Sequence, residues 1–392
     1  MSGGIVQLVS IGAQDAWLTG KPEVSFYRSS YKRYTHYANS SERQLIQGAP
    51  TPGSISTIRF EKKGDLVNAV YLIAKDPTGA LIPNLTWTNV IDKIELLIGG
   101  QIIDTQDITW IGSIEPITGA QNYSTRYLNN NTGANPTSVK NGFLPLKFFF
   151  NKDWNVSLPL VALQYHDIEL RITWNSNIGS TIASGVIYDG TDLTNGSAKK
   201  YLNLQYEAWC NFVYLDQAER DYFASTPMDM LITQVSRIPI AATNMQELAL
   251  AHPIKFLAFP SINYTTSYLA ITNSSGFQPA NNQFKTQVNG VDIGDSRSIF
   301  QWIDVPQYYF TPFGYNHNQS AAPVAIISYA LDTSKLQPTG TLNFSRIDTF
   351  RIVAPAGTTL SSLAGGAGNY FYAVNYNVLR IKDGMAGLLY SN

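Results

Sequence analysis

The most constraining feature of this sequence is the strict alternation of apolar and polar residues that follows position 167. From Ile168 to Trp174 the even positions are apolar and the odd positions are polar. Side chains of an extended chain point alternately to the two faces of a sheet, so this pattern predicts a β-strand with one buried face. His166 then points with the apolar residues and Asp167 points to the other face, which argues against the catalytic pair that their adjacency suggests.

Similar strand patterns recur from about residue 55 to the end of the chain. The apolar positions Ile94, Leu96 and Ile98 precede Gly99 and Gly100, and a Gly-Gly pair supplies the positive φ angles that tight hairpins need. Between the predicted strands lie loops rich in Asn, Thr, Ser, Gly and Pro. Many short strands separated by such loops are typical of sandwiches or barrels and not of a parallel α/β sheet.

The clearest helical signal lies near the middle of the chain, in LDQAERDYFAS. Asp216 can cap a helix there, and Glu219 stands three residues later, which is the spacing of a capping box. A chain of 392 residues exceeds the usual size of a single core, so two domains are expected. We place their boundary at this helix, because each half then has the length that roughly eight strands and their loops occupy.

Composition narrows the classes of partner and compartment. Charged residues make up 14% of the chain and the formal net charge is −1, so there is no global attraction for nucleic acid or acidic membranes. The single cysteine, Cys210, lies on the apolar stripe of a predicted strand and is expected to pack as a small hydrophobic residue. No secretory signal or run of about 20 apolar residues is present, so we expect synthesis in the cytosol.

No common catalytic, cofactor-binding or metal-binding motif is found. Asp292 and Asp295 could hold calcium with backbone oxygens, but they lack the ordered ligand series of a dedicated loop, which favours a solvated turn. We therefore predict that the protein is not an enzyme and takes neither a cofactor nor a metal. Two alternatives stay open on these grounds: a lectin-like carbohydrate-binding sandwich, and a β-sandwich glycosidase with two carboxylates facing a groove.

One basic and aromatic cluster, FYRSSYKRYTHY (residues 26–37), interleaves Arg28, Lys32 and Arg33 with tyrosines. Such a mixture could stack on single-stranded bases and hold phosphates. It could also dock on a neighbouring subunit or on an acidic surface. We favour docking, and predict no sequence-specific nucleic acid partner, because the rest of the chain carries no matching basic stripe.

Asn-x-Ser/Thr triplets are frequent in the predicted loops and are candidate glycosylation sites. Several would arise by chance in loops so rich in these residues, and modification requires that a glycosyltransferase meets the protein. The triplets considered begin at Asn84, Asn122, Asn130, Asn195, Asn273 and Asn318.

Five stretches taken together resemble the major capsid protein family of the nucleocytoplasmic large DNA viruses. In chain order they are GAQDAWLTGKPEVSFYRSSYKRYTHY, IELLIGGQIID, LPLVALQYHDIELRI, QPTGTLNFSRID and YAVNYNVLRIKDGMAGLLYSN. They span nearly the whole chain in the order expected of the family. One such stretch would be suggestive, whereas five in order are a specific match.

This resemblance implies an all-β double jelly roll, that is, two tandem eight-stranded antiparallel jelly rolls with a few short helices. The implied division is an N-terminal arm on the capsid-interior side at residues 1–25, a first jelly roll at 26–213, a linker with a short helix at 214–226, and a second jelly roll at 227–392. Three chains would form a homotrimer, a pseudo-hexagonal capsomer that tiles an icosahedral shell in the virion.

The resemblance also implies partners and a location. A capsid subunit is synthesised in the host cytoplasm and contacts neighbouring capsomers and minor capsid proteins. The N-terminal segment, with Arg28, Lys32 and Arg33, would contact neighbouring proteins or the inner viral membrane on the inner face. This chain is short for the family, so its outward loops are expected to be reduced, and either a major or a minor paralogue fits the sequence.

Overall fold

The computed structural model describes residues 4–6, 12–75, 87–119, 142–179, 202, 204–261, 282–312, 324–364 and 369–390. Residues 1–36 form one compact unit and residues 37–392 form another. The first unit contains the short helix α1, Ala16–Thr19. The sheets described below all belong to the second unit.

The first half of the larger unit is built from two antiparallel sheets. Its strands are β1 (Tyr37–Gln44), β2 (Ile46–Gln47), β3 (Ile55–Arg59), β4 (Leu66–Lys75), β5 (Ile91–Ile98), β6 (Gln101–Gln106), β7 (Phe143–Pro145), β8 (Leu158–Pro159), β9 (Ile168–Trp174) and β10 (Gln205–Leu215). One sheet has the order β1-β10-β4-β7, with β8 also paired to β4. The other has the order β2-β3-β9-β5-β6.

The second half repeats this arrangement with different strand numbers. Its strands are β11 (Met228–Pro239), β12 (Met245–Glu247), β13 (Pro253–Pro260), β14 (Gln283–Val288), β15 (Val291–Ser298), β16 (Val324–Ser328), β17 (Leu342–Asn343), β18 (Phe350–Val353), β19 (Tyr370–Lys382) and β20 (Met385–Leu388). The larger sheet has the order β11-β19-β13-β16, with β17 on β13 and β20 on β19, and the smaller one has the order β12-β18-β14-β15.

Helices in the larger unit are short. They are a π-helical turn at Trp110–Ile114 that continues into α2 (Glu115–Thr118), then α3 (Gln217–Ser225), α4 (Ile299–Tyr309) and α5 (Leu360–Leu363). Single 3-10 turns lie at Trp87–Asn89, Phe149–Asn151, Trp154–Val156, Ser176–Gly179 and Phe344–Arg346. The prediction of an all-β chain with a few short helices is therefore confirmed.

Three local predictions are confirmed. In β9 every apolar residue from Ile168 to Trp174 is buried and every residue between them is partly exposed. Gly99 and Gly100 have φ angles of 57° and 83° in the turn between β5 and β6. Asp216 caps α3, although its carboxylate accepts from the first N–H of the helix and not from the third, as a capping box would require.

The strand count differs from the eight per half that the sequence suggested. Each half has ten strands within the described residues, because pairings of two or three residues, such as β2, β8 and β17, flank the longer strands. The longer strands carry the core. One cluster of buried apolar side chains contains residues of both halves, and a second cluster lies within the second half alone. The two halves are thus joined by a continuous apolar core.

Candidate functional site: the seam and the outer surfaces

The contact between the two halves, which we call the seam, is formed by residues 101–119 and 147–153 of the first half against β11, β13 and β19 of the second. Edge strand β6 lies beside β11. The amide of Gln234 donates to the backbone oxygen of Ile103, and the backbone N–H of Val235 donates to Asp104 Oδ1 at 2.8 Å. Side chains therefore satisfy main-chain groups where the sheet of one half meets that of the other.

Asp107 is the centre of a buried polar network at the seam. Its carboxylate accepts from the backbone N–H of Trp110 at 2.8 Å, from the Tyr372 hydroxyl at 2.7 Å and from Arg237 Nη1 at 3.4 Å. Burial raises the pKa of Asp107, and these donors oppose that effect. Burial and the neighbouring carboxylate raise the pKa of Tyr372, which keeps its hydroxyl a donor. Two of these donors come from the second half, so the network fixes how the halves dock.

Asp104 is a second buried carboxylate at the seam. Besides Val235, its oxygens accept from the backbone N–H of Thr105 at 3.0 Å and from Gln106 Nε2 at 2.8 Å. Burial raises the pKa of Asp104 to about 6 in spite of these hydrogen bonds. The charge of this seam residue therefore changes between mildly acidic and neutral pH.

The end of the described chain also docks on the first half. Asp383 and Gly384, both with positive φ, turn β19 back into β20. The backbone N–H of Tyr165 then donates to the Gly384 oxygen at 3.0 Å, and the N–H of Ala386 donates to His166 Nδ1 at 3.2 Å. His166 thus contacts the main chain of the second half.

Asp167 has a partner of its own on the face opposite His166. Its carboxylate accepts from Arg59, and this contact lowers the pKa of Asp167.

Cys210 is buried and burial raises the pKa of its thiol, which confirms the packing role expected for it. Asp292 accepts from Lys285 at 2.5 Å and from Gln287 at 2.6 Å within the β14–β15 hairpin, so this carboxylate serves the turn itself.

The residues predicted to make contacts on the inner face lie in the unit formed by residues 1–36. Arg28, Lys32 and Arg33 are all exposed, and so are the aromatic residues Trp17 and Tyr27, at 93% and 100%. The inner-face role of the three basic residues stays a prediction. The six asparagines named as candidate glycosylation sites, Asn84, Asn122, Asn130, Asn195, Asn273 and Asn318, lie outside the described residues.

Metal ligands, membrane-spanning helices and exposed apolar surface also bear on function. In the part of the chain that the structure describes, no group of three or more His, Cys, Asp or Glu side chains could hold a metal ion. Within the same ranges no helix combines the length and apolar character needed to cross a bilayer. Exposed apolar side chains lie on the edge strand β15, at Val291 and Ile293, and on α4, at Tyr308 and Tyr309.

Sequence reasoning did not find the seam. Its polar residues come from IIDTQDITW and from the strands that contain Arg237 and Tyr372, more than 100 positions away. The one available signal was the pair of aspartates, Asp104 and Asp107, close to apolar residues of the same segment. Buried carboxylates are rare unless they are hydrogen-bonded, so this pair pointed to a polar contact without naming its partner.

Comparison with known proteins places the chain in one family. The family model for the N-terminus of the major capsid protein matches residues 25–216, and the model for the major capsid protein of large eukaryotic DNA viruses matches residues 219–387. The major capsid protein of Paramecium bursaria Chlorella virus 1 is 30% identical over an alignment that covers 100% of both chains. That of Pyramimonas orientalis virus is 28% identical with the same coverage.

Solved structures agree with this assignment. The crystal structure of the PBCV-1 capsid protein VP54, fitted into a reconstruction of the virophage Sputnik, matches with a TM-score of 0.71 and 25% identity, covering 94% of this chain and 100% of that one. The Faustovirus major capsid protein matches with a TM-score of 0.58 and 11% identity over 97% of this chain and 96% of its own, which bears on the fold alone. The predicted double jelly roll is thereby confirmed. The chain belongs to the major capsid protein family of the large DNA viruses and is a structural protein of the virion shell.

Proposed function

We propose that three copies of this capsid protein associate around a three-fold axis to form a pseudo-hexagonal capsomer. The observation that carries the proposal is the seam, where one continuous core joins two sandwich halves of the same chain. A trimer of such chains presents six similar β-sandwiches around one axis. The contact between neighbouring subunits of this trimer is heterologous, which means that two different surfaces meet. It closes into a ring when the rotation between subunits is one third of a turn.

The domain division that we propose is the one expected from the sequence: an arm at residues 1–25, jelly rolls at 26–213 and 227–392, and a linker at 214–226. Three observations support the linker. The only element described between β10 and β11 is α3, no described strand of one half pairs with a strand of the other, and the two family models meet between residues 216 and 219.

Subunit contacts need apolar surface without unpaired charge, and the outer surface offers it. Permanent oligomer interfaces commonly bury more than about 2,000 Å² and are rich in tyrosine and other aromatic residues. Exposed Val291 and Ile293 on an edge strand, and Tyr308 and Tyr309 on α4, suit such contacts. An edge strand with free main-chain groups also pairs readily with another chain.

For the N-terminal segment we propose the inner face of the shell, in contact with minor capsid proteins, neighbouring capsomers or the inner viral membrane. Exposed Trp17 and Tyr27 beside basic Arg28, Lys32 and Arg33 support this role. Aromatic rings settle at the boundary between water and apolar phases, and basic residues are attracted to anionic headgroups. No sequence-specific contact with nucleic acid is part of the proposal.

The proposed role is structural and not catalytic. The relatives reported above are all capsid proteins, so neither the lectin-like nor the glycosidase alternative is taken further. The chemistry of the seam supports this view, because its carboxylates accept hydrogen bonds from the protein itself.

Light scattering coupled to size-exclusion chromatography tests the trimer. The purified full-length protein is expected to have three times the chain mass of 43.3 kDa, independently of loading concentration over a tenfold range. As a control, removal of residues 1–25 is expected to leave the trimer intact, because the arm is assigned to other partners. A stable monomer or dimer in native buffer overturns the proposal.

A further inference from the structure

A small cavity of about 90 Å³ lies at the seam. The first half contributes Trp110, Glu115 and Lys152 to its lining, and the second half contributes Thr233 and Lys255, among others. Because both halves form its wall, anything bound there contacts both jelly rolls at once.

The cavity carries an excess of positive charge. The charged residues that line it are three lysines and two carboxylates, namely Lys152, Lys255, Lys335, Glu115 and Asp153. Both carboxylates already have partners elsewhere. Glu115 Oε2 lies 3.4 Å from the ammonium group of Lys147, and Asp153 Oδ1 accepts from the backbone and side chain of Asn155 at 2.9 Å. The lining residues thus carry one more positive than negative charge.

Two of these lysines have no described carboxylate at salt-bridge distance, and of these Lys255 is buried and Lys152 is half-buried. Lys255 is 3% exposed, and its Nζ donates to the backbone oxygen of Lys335 at 3.0 Å and lies 5.6 Å from the ring of Tyr376. Among the described residues, the Nζ of Lys152 reaches only the Thr233 hydroxyl, at 3.4 Å. Within the described residues no carboxylate oxygen lies within 4.0 Å of either ammonium group.

The pKa values of both lysines reflect this environment. Burial, followed by repulsion from Lys152, lowers the pKa of Lys255 to about 8, although attraction to Asp332 opposes this effect. Burial also lowers the pKa of Lys152, although attraction to Glu115 and Asp104 opposes this effect. Burying an ammonium group without a carboxylate beside it costs free energy. A bound counterion relieves this cost and keeps both lysines charged.

We propose that the seam cavity binds one small inorganic anion of the size of chloride, held between the ammonium groups of Lys152 and Lys255. A volume of about 90 Å³ is enough for such an ion. The Thr233 hydroxyl, which accepts from Lys152, has its own proton free to donate to the ion. The anion links one lysine of each jelly roll, so it stabilises the docking of the two halves.

Bromide locates the site directly. Crystals of the full-length protein grown in sodium bromide are expected to show one anomalous difference peak, at the bromine absorption edge, in contact with the Nζ atoms of Lys152 and Lys255. The same crystals of Lys255→Met are expected to lose that peak while keeping the fold. An empty cavity in the wild-type crystals overturns the proposal.

Thermal unfolding supplies an independent measurement in solution. At constant ionic strength, replacing sodium gluconate by sodium chloride is expected to raise the Tm of the wild-type protein until the effect saturates, as expected for a ligand of the folded state. Lys152→Met and Lys255→Met are expected to abolish this increase, whereas Lys382→Met, at an exposed position in β19, is expected to retain it. An equal chloride effect in all four proteins, or none in the wild type, contradicts a specific anion site. Both experiments measure anion binding at the seam within one chain, so their outcome does not depend on whether the protein forms a trimer.

Discussion

Replacing Trp110 by alanine is the most direct perturbation of the seam core. The side chain is 1% exposed and stacks on Phe256 at 6.3 Å between ring centroids, with 19° between the planes. It also packs against Tyr372 at 6.0 Å. Both partners belong to the second half, whereas Trp110 belongs to the first. None of the described residues accepts a hydrogen bond from its indole N–H, so the expected loss is one of apolar packing.

Truncation of a fully buried tryptophan to alanine costs about 3–5 kcal/mol, through lost transfer free energy and the cavity left behind. We expect Trp110→Ala to lower the free energy of unfolding by that amount. Urea titration followed by circular dichroism, at one fixed protein concentration, measures it. The matched control is Trp154→Ala, since Trp154 is 81% exposed and its loss is expected to change stability by less than about 0.5 kcal/mol. A loss below about 1 kcal/mol for Trp110→Ala would refute the view that the seam is a true core.

Three other predictions concern the same contact. Asp104 has a pKa of about 6 when folded against 3.8 unperturbed. Its protonated form therefore stabilises the fold at low pH, and this contribution is lost as pH rises from about 4 through 6. Relative to Asp104→Asn, the wild type is expected to lose about 2.5 kcal/mol between pH 4 and 7 in urea titrations, and parallel pH profiles would contradict this. Tyr372→Phe removes a donor to a buried carboxylate and is expected to cost about 1–3 kcal/mol, whereas Tyr308→Phe, on the surface, is expected to cost nothing measurable in the same assay. A methyl group at Gly384 would lie 2.6 Å from an aromatic ring of the first half, whereas one at Gly53, which also has positive φ, meets open space. Gly384→Ala is therefore expected to lower the Tm more than Gly53→Ala, and equal shifts would show that the ring contact is unimportant.

Local sequence signals predicted much of the fold. The alternation in β9 gave both its buried face and the separation of His166 from Asp167, because the side-chain period of a strand depends on neither its partners nor its place in the sheet. Gly99 and Gly100 marked a hairpin because few other residues adopt its backbone conformation. These features depend on a few consecutive residues, and so they can be inferred without knowing the rest of the chain.

The seam could not be predicted in this way. The bond from Val235 to Asp104 joins residues 131 positions apart, and that from Tyr372 to Asp107 joins residues 265 apart. No periodicity within one strand encodes which distant strand will lie beside it. Asp65 shows the same limit on a smaller scale. Its carboxylate is buried and accepts from the backbone N–H of Leu215 and from Arg220 in α3, and no local pattern around Asp65 names these partners.

Electron microscopy of the purified protein tests the central claim most directly, namely that two sandwich halves in each chain allow three chains to imitate sixfold symmetry. Class averages viewed along the symmetry axis are expected to show a three-fold particle with six lobes of similar size. Particles with three lobes, a two-fold axis or a single pair of lobes would contradict it.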